Sequence, residues 1–310
     1  MTAEPAVSVG GLRKAYGPVV AVDGLTFEAP AGAVTAVLGP NGAGKTTTVE
    51  ICEGFRARDG GDVRVLGLDP GTRAARAALR QRVGVMPQAG GAYPGLRAGE
   101  MLRLVAGHYA NPLPVPALLE RLGLAEAAHT GFRKLSGGQQ QRLSLALAVV
   151  GRPELAFLDE PSAGLDVQAR HAMWDLVREL RTCGVSIVLT THDMAEAEEL
   201  ADHVVIVDRG RIVASGTVAA LTRGGADGQL RFRAPTGLDL EQLLSALPVG
   251  TRAKESPSGH YLVEGEVDPA LLAAVTSWAA SQRALVEDLR VEQRTLEDTF
   301  LELTGRDLRA

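Results

Sequence analysis

The chain has 310 residues, 45% of them hydrophobic and 22% charged, with a net charge of −5. That length allows one large domain or two with an ample core, and the negative balance excludes the strong positive field of a nucleic-acid binder. No basic and then apolar leader opens the sequence, and no apolar run approaches the ~18 residues a spanning helix needs, so the protein is expected to be soluble or held to a membrane by a partner.

Residues 7–12 and 19–29 alternate well enough for two strands, with Tyr16-Gly17-Pro18 as their turn. Residues 34–38 are mostly apolar, partly β-branched, and read as a buried strand ending at Gly39. Gly39-Pro40-Asn41-Gly42-Ala43-Gly44-Lys45-Thr46 then matches G-x-x-x-x-G-K-[ST], and a helix starting near Gly44 continues through Thr47 and Val49 to Cys52. Asp59-Gly60-Gly61 reads as a turn before a strand over 62–66, a helix over 74–82 and a short buried strand over 83–86 that ends at Pro87-Gln88. Gly90-Gly91 and Pro94-Gly95 make a loop, after which helical patterns occupy 100–109, 117–122 and 140–150. The sheet resumes at 155–158, followed by a helix over 167–183, a strand over 185–190, a helix over 194–201 and strands over 203–207 and 211–214. Strands alternating with helices argue for a mostly parallel sheet covered on both faces, with 89–153 as a helical insert. Cys52 and Cys183 are isolated, lack metal spacing, and read as small buried apolar residues in a reducing compartment.

A boundary falls at 222–228 and separates a first domain, 1–223, from a second, 229–310. The second reads as a strand (229–234), a helix (238–247), a hairpin (251–255 with 260–264), a helix (269–280), a strand (284–291) and a last helix (296–303). The order βαββαβ predicts a small α+β ferredoxin-like domain with one extra helix. On that last helix Thr295 can cap the start, with Asp298 completing an approximate capping box, and Leu296, Phe300 and Leu303 share one apolar face.

The chemistry of the first glycine-rich stretch is specific. Its glycines let successive backbone N–H groups curl around a phosphate chain, and the helix behind it points its positive end at the phosphates. Lys45 would reach the β and γ phosphates, and the Thr46 hydroxyl suits a Mg2+ ligand. The strand over 155–158 runs straight into Asp159-Glu160, at the sheet edge where ligands bind in such folds. Asp159 would hold Mg2+, and Glu160 would orient or polarise an attacking water. Tyr16 could stack on a base, although a hairpin-tip aromatic packed on its own sheet is the plainer reading.

With Leu135-Ser136-Gly137-Gly138-Gln139 between the phosphate loop and the acidic strand, the chain resembles the nucleotide-binding subunits of ATP-binding cassette (ABC) transporters over residues 7–222. The resemblance implies a P-loop NTPase fold, with a RecA-like, mostly parallel sheet, N-terminal antiparallel strands and a helical insert. It implies ATP and Mg2+ as cofactors. It matches Tyr16 to the adenine-stacking aromatic, and Gln88 to the glutamine that senses the γ-phosphate and Mg2+ and faces the membrane partner. His192 matches the switch histidine at the γ-phosphate, and residues 162–166, ending in Asp166, match the dimer-contact loop. Ser136, Gly138 and Gln139 would act on the ATP of the partner copy. Expected partners are a second copy or a homologous ATPase subunit and an integral membrane permease at the cytoplasmic face of a bacterial membrane, with no nucleic acid. Ser162 stands where the family usually has Thr, and Arg97-Ala98 where it often has Thr-Val, neither of which removes a catalytic group. The tail from Leu296 to Gly305 is similar to the ending of ABC-2 export ATPases, including the daunorubicin-resistance type, which favours export of a drug-like or lipid-like molecule. An importer ATPase with a ferredoxin-like regulatory domain, or a non-transport ABC protein, stays open at this point.

Overall fold

The computed structural model describes residues 4–88, 93, 95–222, 228–256, 259–265, 267–292 and 295–304. The chain divides into two compact units between Val218 and Ala219. Residues 223–227, within the expected boundary, and 89–92 and 94, within the expected loop, lie outside the described residues, as does Gly305 of the tail.

In the first unit, β1 (Val7–Tyr16) and β2 (Val19–Ala29) form an antiparallel hairpin. Its ladder runs to the tip, where Tyr16 pairs with Val19, so Tyr16 belongs to the strand and the turn is shorter than expected. After β3 (Val34–Leu38) come α1 (Lys45–Cys52) and β4 (Gly60–Val65), the latter pairing with β1. Because Gly60 pairs with Arg13, β4 starts inside the stretch that reads as a turn. α2 (Arg73–Leu79) is shorter than its pattern suggests, and β5 (Val83–Met86) follows. Among the described residues between β5 and the next strand only helices form: α3 (Ala98–Ala106), α4 (Val115–Arg121), a single tight turn at Phe132–Lys134, and α5 (Gly137–Val149). Then come β6 (Leu155–Asp159), α6 (Val167–Thr182), β7 (Ser186–Thr191), α7 (Met194–Leu200), β8 (His203–Asp208) and β9 (Arg211–Gly216), followed by α8 (Val218–Thr222), which past its first residue belongs to the second unit. Short α8 carries no periodic signal in the sequence.

Two sheets result, β2-β1-β4 and β5-β6-β7-β3-β8-β9. The larger is parallel from β5 to β8 and closes with antiparallel β9. Every residue of β3, β6 and β7 is buried, as a parallel strand covered on both faces requires. Val49, Ile51 and Cys52 of α1 share one core with Val7, Leu12 and Val65 of the small sheet and Phe157, Val188 and Val205 of the large one. Cys52 is buried as expected, whereas Cys183 is exposed just past the end of α6, where the chain turns toward β7.

The second unit contains β10 (Gly228–Arg233), α9 (Leu240–Ser245), β11 (Arg252–Ser256), β12 (His260–Gly265), α10 (Pro269–Ser281), β13 (Glu287–Glu292) and α11 (Leu296–Thr304). The antiparallel sheet order β11-β12-β10-β13 is that of a ferredoxin-like fold. Phe232 stacks on Tyr261 with centroids 5.2 Å apart, and Trp278 meets both edge-on. On α11 the capping box forms: the Asp298 N–H donates to Thr295 Oγ1 at 3.2 Å and the Thr295 N–H to Asp298 Oδ2 at 2.9 Å. Leu296, Thr299 and Phe300 are buried, but Leu303 is exposed. The buried stripe therefore passes through Thr299, whose hydroxyl donates to the Leu221 carbonyl at 3.1 Å, rather than on to Leu303.

α1 ends at Glu53, whose carboxyl is pushed up to about 8 by burial and then by the neighbouring charges of Asp159 and Glu50. The folded protein thus holds a proton there that the unfolded chain releases near 4.5. A folded-state pKa raised in this way contributes stability at low pH that is lost as pH climbs through about 8. Glu53→Gln is expected to gain melting temperature relative to the parent as pH rises from about 5 to about 9. A constant difference between the two proteins across that range would contradict a buried carboxyl at this position.

Candidate active site

The ends of β3, β6 and β7 meet at one edge because β7 pairs with both neighbours. Leu38 lies opposite Thr191, and Asp159 opposite Thr190. The loop 39–44 leaves β3 and turns into α1. A Cβ on Gly39 would stand 2.1 Å from the Val207 carbonyl oxygen, and one on Gly44, at φ 103°, 2.4 Å from that of Ala21. Glycine is thus required at both positions by packing against β8 and β2, before any ligand is considered. Pro40 is half-buried, Asn41 and Gly42 are exposed, and Ala43 is buried under the loop. Thr47 is half-buried in the first turn of α1.

Lys45 is buried, and its Nζ donates to the carbonyls of Gly39 at 2.6 Å and Pro40 at 3.1 Å. Burial pulls its pKa down, against the opposing charges of Glu160 and Asp159. Thr46 Oγ1 stands 3.5 Å from Asp159 Oδ1. Burial raises the Asp159 pKa first of all, with bonds from the Thr190 and Thr46 hydroxyls working the other way.

Glu160 sits just past the end of β6 with φ 49°, in the left-handed region that a non-glycine residue enters at a cost of order 1–3 kcal/mol. Thr190 holds it there. The Glu160 N–H donates to both the carbonyl and the hydroxyl oxygen of Thr190, each at 3.1 Å, and the Thr190 hydroxyl in turn donates to the Asp159 carboxylate. The turned backbone aims the Glu160 carboxylate at two partners. Gln88 Nε2 donates to Oε2 at 3.2 Å, and His192 Nδ1 lies 3.1 Å from Oε1. His192 is half-exposed while Glu160 is 9% exposed, so the imidazole covers the carboxylate from the solvent side.

The structure therefore gathers Lys45, Thr46, Gln88, Asp159, Glu160 and His192. Gln88 joins Glu160, next to Asp159 in the chain, through its side-chain amide. Among the described residues no three His, Cys, Asp or Glu side chains cluster as a metal cage. Three other expected parts stand apart. Tyr16 ends β1 at 39% exposure, with Arg56 Cζ 5.2 Å and Lys14 Nζ 5.5 Å from its ring. Ser136 caps α5 in a closed capping box with Gln139: Ser136 Oγ accepts the Gln139 N–H at 3.2 Å, and Gln139 Oε1 accepts the Ser136 N–H at 2.9 Å. Gly138 follows inside α5, facing Leu165 and Ala169. Asp166 caps α6 through the Ala169 N–H at 2.8 Å. Thr190 was not singled out from the sequence. The available signal was a hydroxyl residue directly after the apolar run Ile187–Leu189, beside the Thr191-His192 pair.

The arrangement joins a cradle of backbone N–H groups and a buried ammonium to an oriented carboxylate. That is the equipment for binding a phosphate chain and hydrolysing it. The profile of the ABC transporter family matches residues 22–163. The Nod factor export ATP-binding protein I of Ralstonia nicotianae is 38% identical over 98% of this chain and 95% of its own length. The daunorubicin/doxorubicin resistance ATP-binding protein DrrA of Streptomyces peucetius is 36% identical over 97% of this chain and 92% of its own. Among solved structures, the ATP-binding subunit of an ABC transporter superposes with a TM-score of 0.64 at 29% identity, covering 70% of this chain and 92% of that one. A dimeric ATP-binding cassette in a post-hydrolysis state, bound to ADP and Pi, superposes with a TM-score of 0.63 over 68% of this chain and 98% of that one; at 22% identity this is a likeness of fold. The similarity to the sequence relatives spans nearly the whole chain and includes the second unit, so this chain belongs to the ABC transporter family as one of its ATP-binding, ATP-hydrolysing subunits.

Proposed function

We propose that this subunit works as a head-to-tail dimer, with a second copy or a homologous ATPase subunit, to drive export through a separate membrane-spanning permease. It would sit peripherally at the cytoplasmic face of a bacterial membrane. No helix among the described residues is long and apolar enough to cross one. The observation that carries the reading is the convergence of Gln88 and His192 on the Glu160 carboxylate, beside Lys45. Residues 1–223 would be the ATPase domain, with 89–153 its helical subdomain, and 229–310 an accessory domain. Export is supported by the names of the relatives, one a Nod factor exporter subunit and one a drug-resistance protein, and a drug-like or lipid-like cargo follows from the same comparison.

In this mechanism the backbone N–H groups of residues 39–44 wrap the phosphate chain, and Lys45 transfers its hydrogen bonds from the Gly39 and Pro40 carbonyls to the β and γ phosphates. Thr46 and Asp159 supply a hydroxyl and a carboxylate at one point, an all-oxygen pair that fits Mg2+. When bound, Mg2+ would neutralise charge building on the phosphates. Each Glu160 oxygen retains a lone-pair direction beyond its bond to Gln88 or His192, and one of these accepts from the attacking water. His192 and Gln88 keep that carboxylate aimed and report on the γ-phosphate. Tyr16 stacks on the adenine ring, flanked by Lys14 and Arg56. Ser136, Gly138 and Gln139, at the positive end of α5, meet the partner's ATP, and the loop ending in Asp166 lies at the dimer contact.

Glu160→Gln is expected to bind ATP normally and to lose turnover by a factor of about 100 or more, with an ATP-loaded dimer accumulating in size-exclusion profiles. Turnover near that of the parent would remove Glu160 from the mechanism. The shared site has a separate test. Lys45→Ala and Ser136→Arg subunits, each inactive alone, are expected to regain ATPase activity when mixed, because the mixed dimer holds one intact composite site. A mixture no more active than its parts, with Glu160→Gln monomeric at saturating ATP, would refute a site built from two copies.

A further inference from the structure

Two cations lie beside the Tyr16 ring, and an acid holds each of them. Arg56 comes just past α1. Its backbone N–H donates to the Glu50 carbonyl at 3.2 Å, and its Nε donates to the Glu50 carboxylate at 2.5 Å. The Phe55 N–H shares the same carbonyl at 2.9 Å. Main chain and side chain thus fix Arg56 on one residue of α1. From there its Cζ stands 5.2 Å from the Tyr16 ring centroid, a cation–π distance. Lys14, two residues before Tyr16 on β1, approaches the ring at 5.5 Å and pairs with Asp59 Oδ1 at 2.8 Å. The other Asp59 oxygen accepts the Ala15 N–H, also at 2.8 Å, and the Asp59 N–H donates to the Arg13 carbonyl at 2.9 Å.

The two cations act differently. Lys14 and Asp59 hold the end of β1 against the chain that leads into β4, which places the strand but leaves the ring free to turn about its own side-chain bonds. Arg56 touches the ring itself, and it does so from α1. Exposed ion pairs and exposed cation–π contacts are each weak, because solvent screening and side-chain entropy offset the attraction. Together they are too small to account for the fold, yet sufficient to favour one setting of a side chain over another. The ring stays 39% exposed, so these contacts leave part of it open.

Helix α1 is the common reference. Its first turn carries Lys45 and Thr46, where the proposed mechanism binds the phosphates and Mg2+, and Glu50 lies one turn on from Thr46. A nucleotide joins its base to its phosphates through a ribose of nearly fixed reach. Stacking therefore contributes most when the ring already stands at the matching distance and tilt from the loop. Ordering a free side chain during binding costs affinity, and a ring set in advance avoids that cost.

We infer that Arg56 is a positioning residue for the adenine base: held on Glu50, it sets the Tyr16 ring relative to the helix that binds the phosphates. The inference rests on the stacking role proposed above for Tyr16.

The test uses the full chain and steady-state ATPase kinetics. Arg56→Ala is expected to raise the KM for ATP about three- to tenfold while kcat and melting temperature stay near the parent values. Tripolyphosphate, which has no base, is expected to inhibit Arg56→Ala and the parent with the same Ki. In a Tyr16→Ala background, Arg56→Ala should add no further rise in KM. A parental KM in Arg56→Ala overturns the inference. A Ki for tripolyphosphate that rises in step with KM also overturns it, since that would put Arg56 on the phosphates, and so does additivity with Tyr16→Ala. Should Arg56→Ala not fold, Glu50→Ala, which frees the Arg56 side chain, takes its place and the same outcomes decide. The underlying reading fails separately, through Tyr16→Ala with the parental KM for ATP.

Discussion

The site depends on β7 lying hydrogen-bonded between β3 and β6. In a parallel sheet the carboxyl ends of neighbouring strands emerge at one edge, and the crevice outside that edge is where ligands bind. Strand β3 ends in the glycine loop, β6 in Asp159 and β7 in Thr191, so chain segments far apart in sequence arrive together without a dedicated contact between them. The register sharpens this. Asp159 lies opposite Thr190, so the last side chain of one strand is braced by the next strand. A shift of one residue in that pairing would turn the Thr190 hydroxyl away from the carboxylate and leave Glu160 without the bonds that hold its left-handed backbone.

Electrostatically the site is poised rather than satisfied. Asp159 and Glu160 face the buried ammonium of Lys45, which donates to loop carbonyls and, among the described residues, has no carboxylate in ion-pair distance. Burial disfavours the charged forms of both Lys45 and Asp159. An anionic chain entering the loop gives Lys45 the partner it lacks, while bringing negative charge toward two carboxylates. The hydroxyl–carboxylate pair at Thr46 and Asp159 is where a cation can offset that repulsion, which is why the proposed mechanism places Mg2+ there.

Much of this was legible in the sequence because it is carried by local rules. The phosphate loop is a fixed spacing, the buried strands are mostly apolar runs, and the ferredoxin-like order of the second unit follows from counting alternating elements. What was hidden depends on pairing. Tyr16 joins β1 because Val19 offers a partner across the turn, and Gly60 joins β4 because of Arg13. Thr190 reads as one more β-branched strand residue until β6 is known to lie beside it. Leu303 fits an apolar spacing, yet the buried face follows Thr299, since a hydroxyl bonded to a backbone carbonyl can be buried as readily as a leucine.

The same logic separates the two halves of the proposed composite site. Around Lys45 and Glu160, groups stand in positions that a ligand would complete. Ser136 and Gln139, by contrast, close on each other, and Asp166 closes on the first turn of its own helix. A side chain committed to a helix cap is fixed in direction and needs no reordering when something approaches, so its N–H dipoles are presented at little entropic cost. Rigid caps facing outward suit a surface that must recognise the ATP of another copy. An incompletely bonded pocket suits the one that must first admit it. On the proposed reading the chain holds a receptive half and a preorganised half, which head-to-tail pairing would place each against its complement twice over.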